Sequence, residues 1–421
     1  LDASNGDHNA AFGYNSLSEN TTGDNNTACG RSALANNTTG SQNVAVGRGA
    51  LDSNTTASNN TAVGYYALEA NTTGTGNVAV GANALDANTT GENLVAIGAG
   101  ALGSNTTAND NVAVGLQALN SNTTGTGLVA VGHDALEKNT TASNNLAIGL
   151  EALEENTTGP NNVAVGNYNL TANTTGDGNT AVGYGVLQTC TTANNNTAVG
   201  RNSMTNTTAG DNTAVGSHTL QTNTTGNFNT AIGQAALNAN TTGASNTAVG
   251  QGAMRDNTTA DANTALGTDA LANCTTGAGN VSLGYKSLED VTTATGAIAI
   301  GYRAGDSMPG GRGIFIGYDC MQGATGGHSR GLYIGYKLES SAQNSTVDDE
   351  GVIAVGEHQA NGKGNGTFFL SCSTYGGAAG NVYQKNNSAD WATTSDRRLK
   401  KDIVDNNSGL DVLKQIQVRN F

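Results

Sequence analysis

The sequence predicts an all-β protein, a repetitive parallel β-roll or β-solenoid of 17-residue coils that ends in a short helical C-terminal segment. Three observations carry this. Asn60 to Gly76 reads NTAVGYYALEANTTGTG, and the chain then repeats itself as NVAVGANALDANTTGEN and LVAIGAGALGSNTTAND, so an A-V-G or A-I-G triplet, an A-L pair and an N-T-T triplet keep their places. The closing glycines recur every 17 residues from Gly13 to Gly200, resume one residue early at Gly216, and continue to Gly301. With 59 Gly, short apolar runs and little large-residue content, the unit is too glycine-rich for a helical repeat.

A unit this small buries no face alone, so coils must stack on one another. Each is expected to hold two short strands, N-T-A-V and A-L-x-x-N-T-T, closed by glycine or small polar residues that tolerate left-handed turns. Roughly 4.8 Å per strand step gives some eighteen coils a rod on the order of 85 Å long. Regular coils are assigned to 1–301, an irregular continuation or cap to 302–372, and a linker to 373–390.

In the first strand, the position before the glycine is Val, Ile, Leu or Cys, the one before it is mostly Ala, and the one before that is Thr, Val, Leu or Ala. Alternate residues point to opposite faces, so both faces are apolar or nearly so. A thin roll needs only one, and the second predicts a partner copy packed along an axis. The alternative is a monomer exposing a stripe of small Ala side chains.

Composition excludes several classes. Net charge is -15, and residues 1–384 carry 11 basic against 28 acidic groups, so nucleic acid is not an expected partner. No run has the apolar length of a membrane span, and no membrane insertion is expected. The five histidines lack metal-ligand spacing, no aspartate-rich calcium loop is present, and no metal or other cofactor is expected. Acidic residues such as Asp86, Glu92, Glu137, Glu154 and Asp177 fall at variable turn positions and read as a solvated face. Cys29 occupies the Val position before a glycine, where a small buried hydrophobe is expected. Cys190 and Cys274 replace the Asn of N-T-T five coils apart, too far to bridge within one chain.

The N-T-T triplet admits two readings. Asn20, Asn37, Asn54, Asn71, Asn88, Asn105, Asn122, Asn139, Asn156, Asn173, Asn206, Asn223, Asn240 and Asn257 are each N-x-[ST] glycosylation acceptors. Stacked Asn and Thr also form hydrogen-bonded ladders. A second column four residues before each glycine, Asn26, Asn43, Asn60, Asn77 and onward, is mostly not an acceptor, which favours ladders. The Thr array also raises binding to ice or another crystalline surface, although adjacent threonines in extended chain point to opposite faces.

Beyond Gly301 the coils loosen into GIFIGY, GLYIGY and GVIAVG, with Phe315 and Tyr333 expected inside. The Asn-preceded A-V-G and A-I-G coils, about residues 5–301, resemble the head repeats of YadA-like trimeric autotransporter adhesins. That resemblance implies a homotrimeric β-roll. Trp391 to Ile403, WATTSDRRLKKDI, is similar to the opening of the intramolecular chaperone domain of endosialidases and phage tail fibres, and 391–421 is read as the start of such a domain. The resemblance implies a fibre trimerised by that domain, which then cuts itself away after Ser395, before Asp396, with Lys400 as the matching base. Gly409 to Val418 fits the beginning of its helical part.

Together these features predict a non-enzymatic structural and adhesive shaft of an extracellular fibre, either a viral tail fibre on the virion surface or a cell-surface fibril. Its expected partners are itself, as homotrimer or head-to-tail filament, and a host-surface or environmental glycan or receptor. An ice-binding or surface-binding rod and the spacer of a polysaccharide-degrading tail spike are the alternatives.

Overall fold

The computed structural model describes residues 6–306, 312–321 and 330–338, and the strand backbones Glu350–Glu357, Phe368–Cys372, Gly380–Gln384 and Trp391–Thr393. The chain divides into two units, Leu1–Asn280 and Val281–Phe421.

The first unit is a parallel β-solenoid. Its sixteen three-residue strands run from β1 (Ala10–Phe12) to β16 (Thr264–Leu266), one per coil. Successive strands pair in register, so that Val44, Ala45 and Val46 face Thr61, Ala62 and Val63. The short coil does not disturb this: Ala198 still pairs with Ala214, 16 residues on. The missing residue is therefore absorbed outside the strand.

Each coil has one strand rather than the two expected. The A-L-x-x-N-T-T segment is a run of turns, because its Leu takes a left-handed conformation (φ 53° at Leu51, 54° at Leu119), as does the residue two before it (φ 55° at Gln117). Alternating left-handed residues break extended chain, and each non-glycine example costs roughly 1–2 kcal/mol. Bonds to the next coil offset this. Leu51 donates its N–H to Ala67 O at 3.0 Å, Ser53 to Glu69 O at 3.0 Å and Thr55 to Thr72 O at 3.2 Å. The ladder of a parallel sheet thus continues through backbone that is not strand.

The core is thin because its parts are small. In one representative coil, Ala130 from the strand, Ala135 and Leu136 from the turn, and Asn139 and Asn145 are all essentially inaccessible. Burying one Leu contributes about 1.5–3 kcal/mol, so stability accrues coil by coil. The glycine closing the strand is required by backbone proximity: Gly132 has φ +144°, and a Cβ there would lie 2.2 Å from Gly149 O.

In the second unit β17 (Val281–Leu283), β18 (Ile298–Ile300), β19 (Ile314–Ile316), β20 (Arg330–Tyr336), β21 (Glu350–Glu357) and β22 (Phe368–Cys372) pair in parallel. Then β23 (Gly380–Gln384) and β24 (Trp391–Thr393) continue antiparallel. The range read as a linker, 373–390, therefore contains a strand, whose Val382 and Tyr383 favour extended chain. Phe315 and Tyr333 do replace the strand alanine in the interior, stacked at 5.6 Å. Glycine makes the room: a Cβ on Gly313 would sit 2.3 Å from the Phe315 ring. Where the strand alanine becomes Ser282, its hydroxyl donates to Ser287 O at 2.7 Å, so the buried polar group is satisfied. The expected helix at Gly409 to Val418 lies outside the described residues.

Two glycines should respond in opposite ways. Gly132→Ala forces a side chain into a conformation that is essentially glycine-only and into a backbone carbonyl, and should cost about 2–4 kcal/mol. Gly127→Asn, at a left-handed position where the next two coils carry Asn144 and Asn161, should be nearly neutral. Thermal midpoints followed by circular dichroism distinguish the two.

Candidate functional site: asparagine ladders and an exposed strand face

Two columns of buried asparagine hold the coils together. In the N-T-T column, Asn37 donates through Nδ2 to Asn20 Oδ1 at 2.9 Å and to Gly40 O at 2.9 Å. Asn54 repeats this with Asn37 (2.8 Å) and Ala57 O (3.0 Å), and the side-chain chain runs on to Asn173 and Asn156 at 2.7 Å. In the second column the backbone N–H of Asn43 donates to Asn26 Oδ1 at 3.0 Å, and Asn43 Nδ2 donates to Ala57 O at 2.9 Å. Both columns meet on the same carbonyl. A buried amide left unpaired costs about 1–3 kcal/mol, so the stack is favoured only in register.

The ladder is interrupted where its residue changes. Asn173 Oδ1 and Asn257 Oδ1 are buried without a partner. The next coil carries Cys190 above the first and Cys274 above the second. Each thiol turns instead to a carbonyl of its own turn, Ala193 O at 3.9 Å and Gly277 O at 3.4 Å. Burial pushes the Cys190 thiol up to about 11 and raises Cys274 as well. Neither is poised as a thiolate.

The 14 acceptor asparagines therefore separate. Thirteen are buried in the ladder. Where both amide hydrogens are bound, as at Asn37, a sugar has neither a bond to replace nor room. Asn206 is the exception: in the 16-residue coil Thr207 takes the ladder position, receiving Asn223 Nδ2 at 3.3 Å, and Asn206 stands exposed. Sequence reasoning passed over another set. Asn25, Asn36, Asn59 and Asn195 each precede Asn-Thr, so they are acceptors one residue upstream of a ladder position, and all four are exposed. The N-N-T triplet was the available signal.

The strand presents its faces the other way round from the Ala-stripe alternative. From the second strand to β16 Ala points inward, buried, and the two flanking residues point out. Val46 is 37% exposed, Ile97 41% and Leu266 46%. Cys29, at this position, is half-exposed rather than buried. The outward residues make two ranks along the first unit, and none in any of the sixteen strands is charged. From β5 (Val78–Val80) to β10 (Val163–Val165) both ranks are Val, Ile or Leu. From β11 (Thr180–Val182) to β16 the first rank is Thr in all six coils. In the second unit Tyr285, Tyr302, Tyr318 and Tyr336 follow the strand glycines and stack at 5.2, 4.7 and 5.3 Å, half-exposed.

Beside the face, Asp52, Glu69 and Asp86 occupy one turn position in successive coils. Burial raises all three carboxyls, and at Glu69 the charges of Asp52 and Asp86 add to it. Gly100 and Gly103 then leave a shallow cleft of about 450 Å³ edged by Asn83, Asp86, Gln117 and Asn120. Among the described residues no three His, Cys, Asp or Glu side chains gather as metal ligands, and no helix is long and apolar enough to cross a membrane. Ser395, Asp396 and Lys400 lie outside the described residues. No family model, curated protein or solved structure matches the chain.

Restoring the ladder should stabilise the coil. Cys190→Asn supplies Asn173 Oδ1 with a donor and should add about 1 kcal/mol, raising the thermal midpoint, whereas Asn105→Ala should lower it. The carboxylate column should respond to pH. The folded chain holds the Glu69 proton more tightly than the unfolded chain, so stability rises as pH falls through the folded pKa, and the gain is complete below the unfolded value. Glu69→Gln should raise the midpoint at neutral pH and flatten its rise on acidification.

Proposed function

We propose that this chain is a non-enzymatic structural and adhesive shaft of an extracellular fibre, a viral tail fibre or a cell-surface fibril. The observation that carries the reading is the passage of backbone hydrogen bonds from coil to coil through the first unit beneath a long uncharged, exposed face. Stacked coils of this kind build length and present one chemistry repeatedly. The six coils whose outward ranks are wholly apolar, β5 to β10, are the contact between copies, since contiguous apolar surface on a soluble chain marks an interaction site. The trimeric arrangement follows the resemblance to adhesin head repeats. The fibre meets a host-surface or environmental glycan or receptor. Glycans added by the producing cell fall on Asn206 and the exposed N-N-T asparagines, not on the ladder. Self-cleavage after Ser395, with Lys400 as base, belongs to the C-terminal segment and makes the chain no turnover enzyme.

Native mass spectrometry before and after enzymatic deglycosylation tests this. The expected mass is three chains, and Val114→Asp in the middle of the apolar tract should reduce it to one. A single-chain mass for the unaltered protein overturns the self-associating fibre.

A further inference from the structure

The six threonines of β11 to β16, Thr180, Thr197, Thr213, Thr230, Thr247 and Thr264, are chemically unlike the first threonines of N-T-T. The latter are used by the scaffold: Thr38 Oγ1 donates to Thr55 O at 2.9 Å, Thr123 to Thr140 O at 2.9 Å and Thr241 to Thr258 O at 2.9 Å. Among the described residues none of the six strand hydroxyls has a hydrogen-bond partner. They stand half-buried or exposed in one in-register row, and a second row of Val182, Val199, Val215, Ile232, Val249 and Leu266 runs beside them.

From this geometry we infer that the threonine tract is an ice-binding surface. Parallel in-register strands repeat the hydroxyl and methyl groups at about 4.8 Å along the stack, and the two ranks, two residues apart, lie about 6.6 Å apart. These are close to the two repeat distances of a prism face of ice. The first rank is β-branched throughout and the second mostly so, which limits side-chain rotation and preserves the lattice. Each coil is held in step by the buried alanine pairing beneath, from Ala181 with Ala198 to Ala248 with Ala265. No charge lies within the grid, as a neutral crystal face requires.

A partner copy is the poorer occupant for this tract. Six unpaired hydroxyls in a dry protein contact would each cost about 1–3 kcal/mol, whereas each finds a partner in ordered water. The adjacent apolar tract has no hydroxyl in either rank, and the change between them is abrupt at β11. A polysaccharide would need aromatic planes, which the grid lacks. The inference stands independently of the fibre reading, because it concerns a different set of coils.

The full chain should show thermal hysteresis and partition into a growing ice hemisphere. Thr213→Lys and Thr230→Lys, outward substitutions that leave the ladder untouched, should each reduce hysteresis at least tenfold with an unchanged circular dichroism spectrum. Val114→Lys, in the apolar tract, should leave it intact even where it alters the native mass. Thr230→Cys, mapped by peptide mass after maleimide treatment, should be labelled in the assembled protein. Absence of hysteresis, full activity in Thr230→Lys, or an unreactive Cys at that position each overturns the assignment.

Discussion

An amide buried in a core this thin has no water to turn to, and that constraint organises the molecule. A coil whose interior is three small hydrophobes and two asparagines gains little from burial alone, and its polar groups would undo the gain if left unpaired. Stacking identical coils solves both at once. Each Asn finds its partner one coil away, and the carbonyls at the end of the N-T-T turn collect donors from both columns. The left-handed leucines, unfavourable alone, are carried by the same continuity.

Much of this was legible in the sequence. Period, fold class, the ladder role of Asn26 and Asn43, and the inward Phe315 all follow from spacing and residue type. What was not legible depended on side-chain direction and φ. The A-L-x-x-N-T-T run has strand-like composition, but Leu with positive φ leaves no mark in a sequence. Which face of T-A-V turns inward is equally silent, since Ala and Val both suit a core. The exposure of Asn206 was equally hidden, because a triplet keeps its letters when one residue is lost nearby, while the stacking position passes to Thr207.

Threonine shows how location sets the role of one residue type. At the first threonine of the N-T-T turn the hydroxyl is a structural donor to the next coil. In the strand the same hydroxyl has no protein acceptor and is left for whatever lies outside. The glycine at the end of each strand, needed because carbonyl oxygens approach so closely, fixes where one environment stops and the other begins.

The two cysteines also have a mechanical meaning. At Cys190, Thr207 and Cys274 the side-chain donor of the asparagine column turns to a carbonyl of its own turn instead of to the coil before it. A solenoid pulled along its axis yields first at such planes. The coils whose column residues run from Thr207 to Asn257, which carry most of the threonine tract, form a segment that would give way as a block, as a chain with softened links parts at those links and spares the rest.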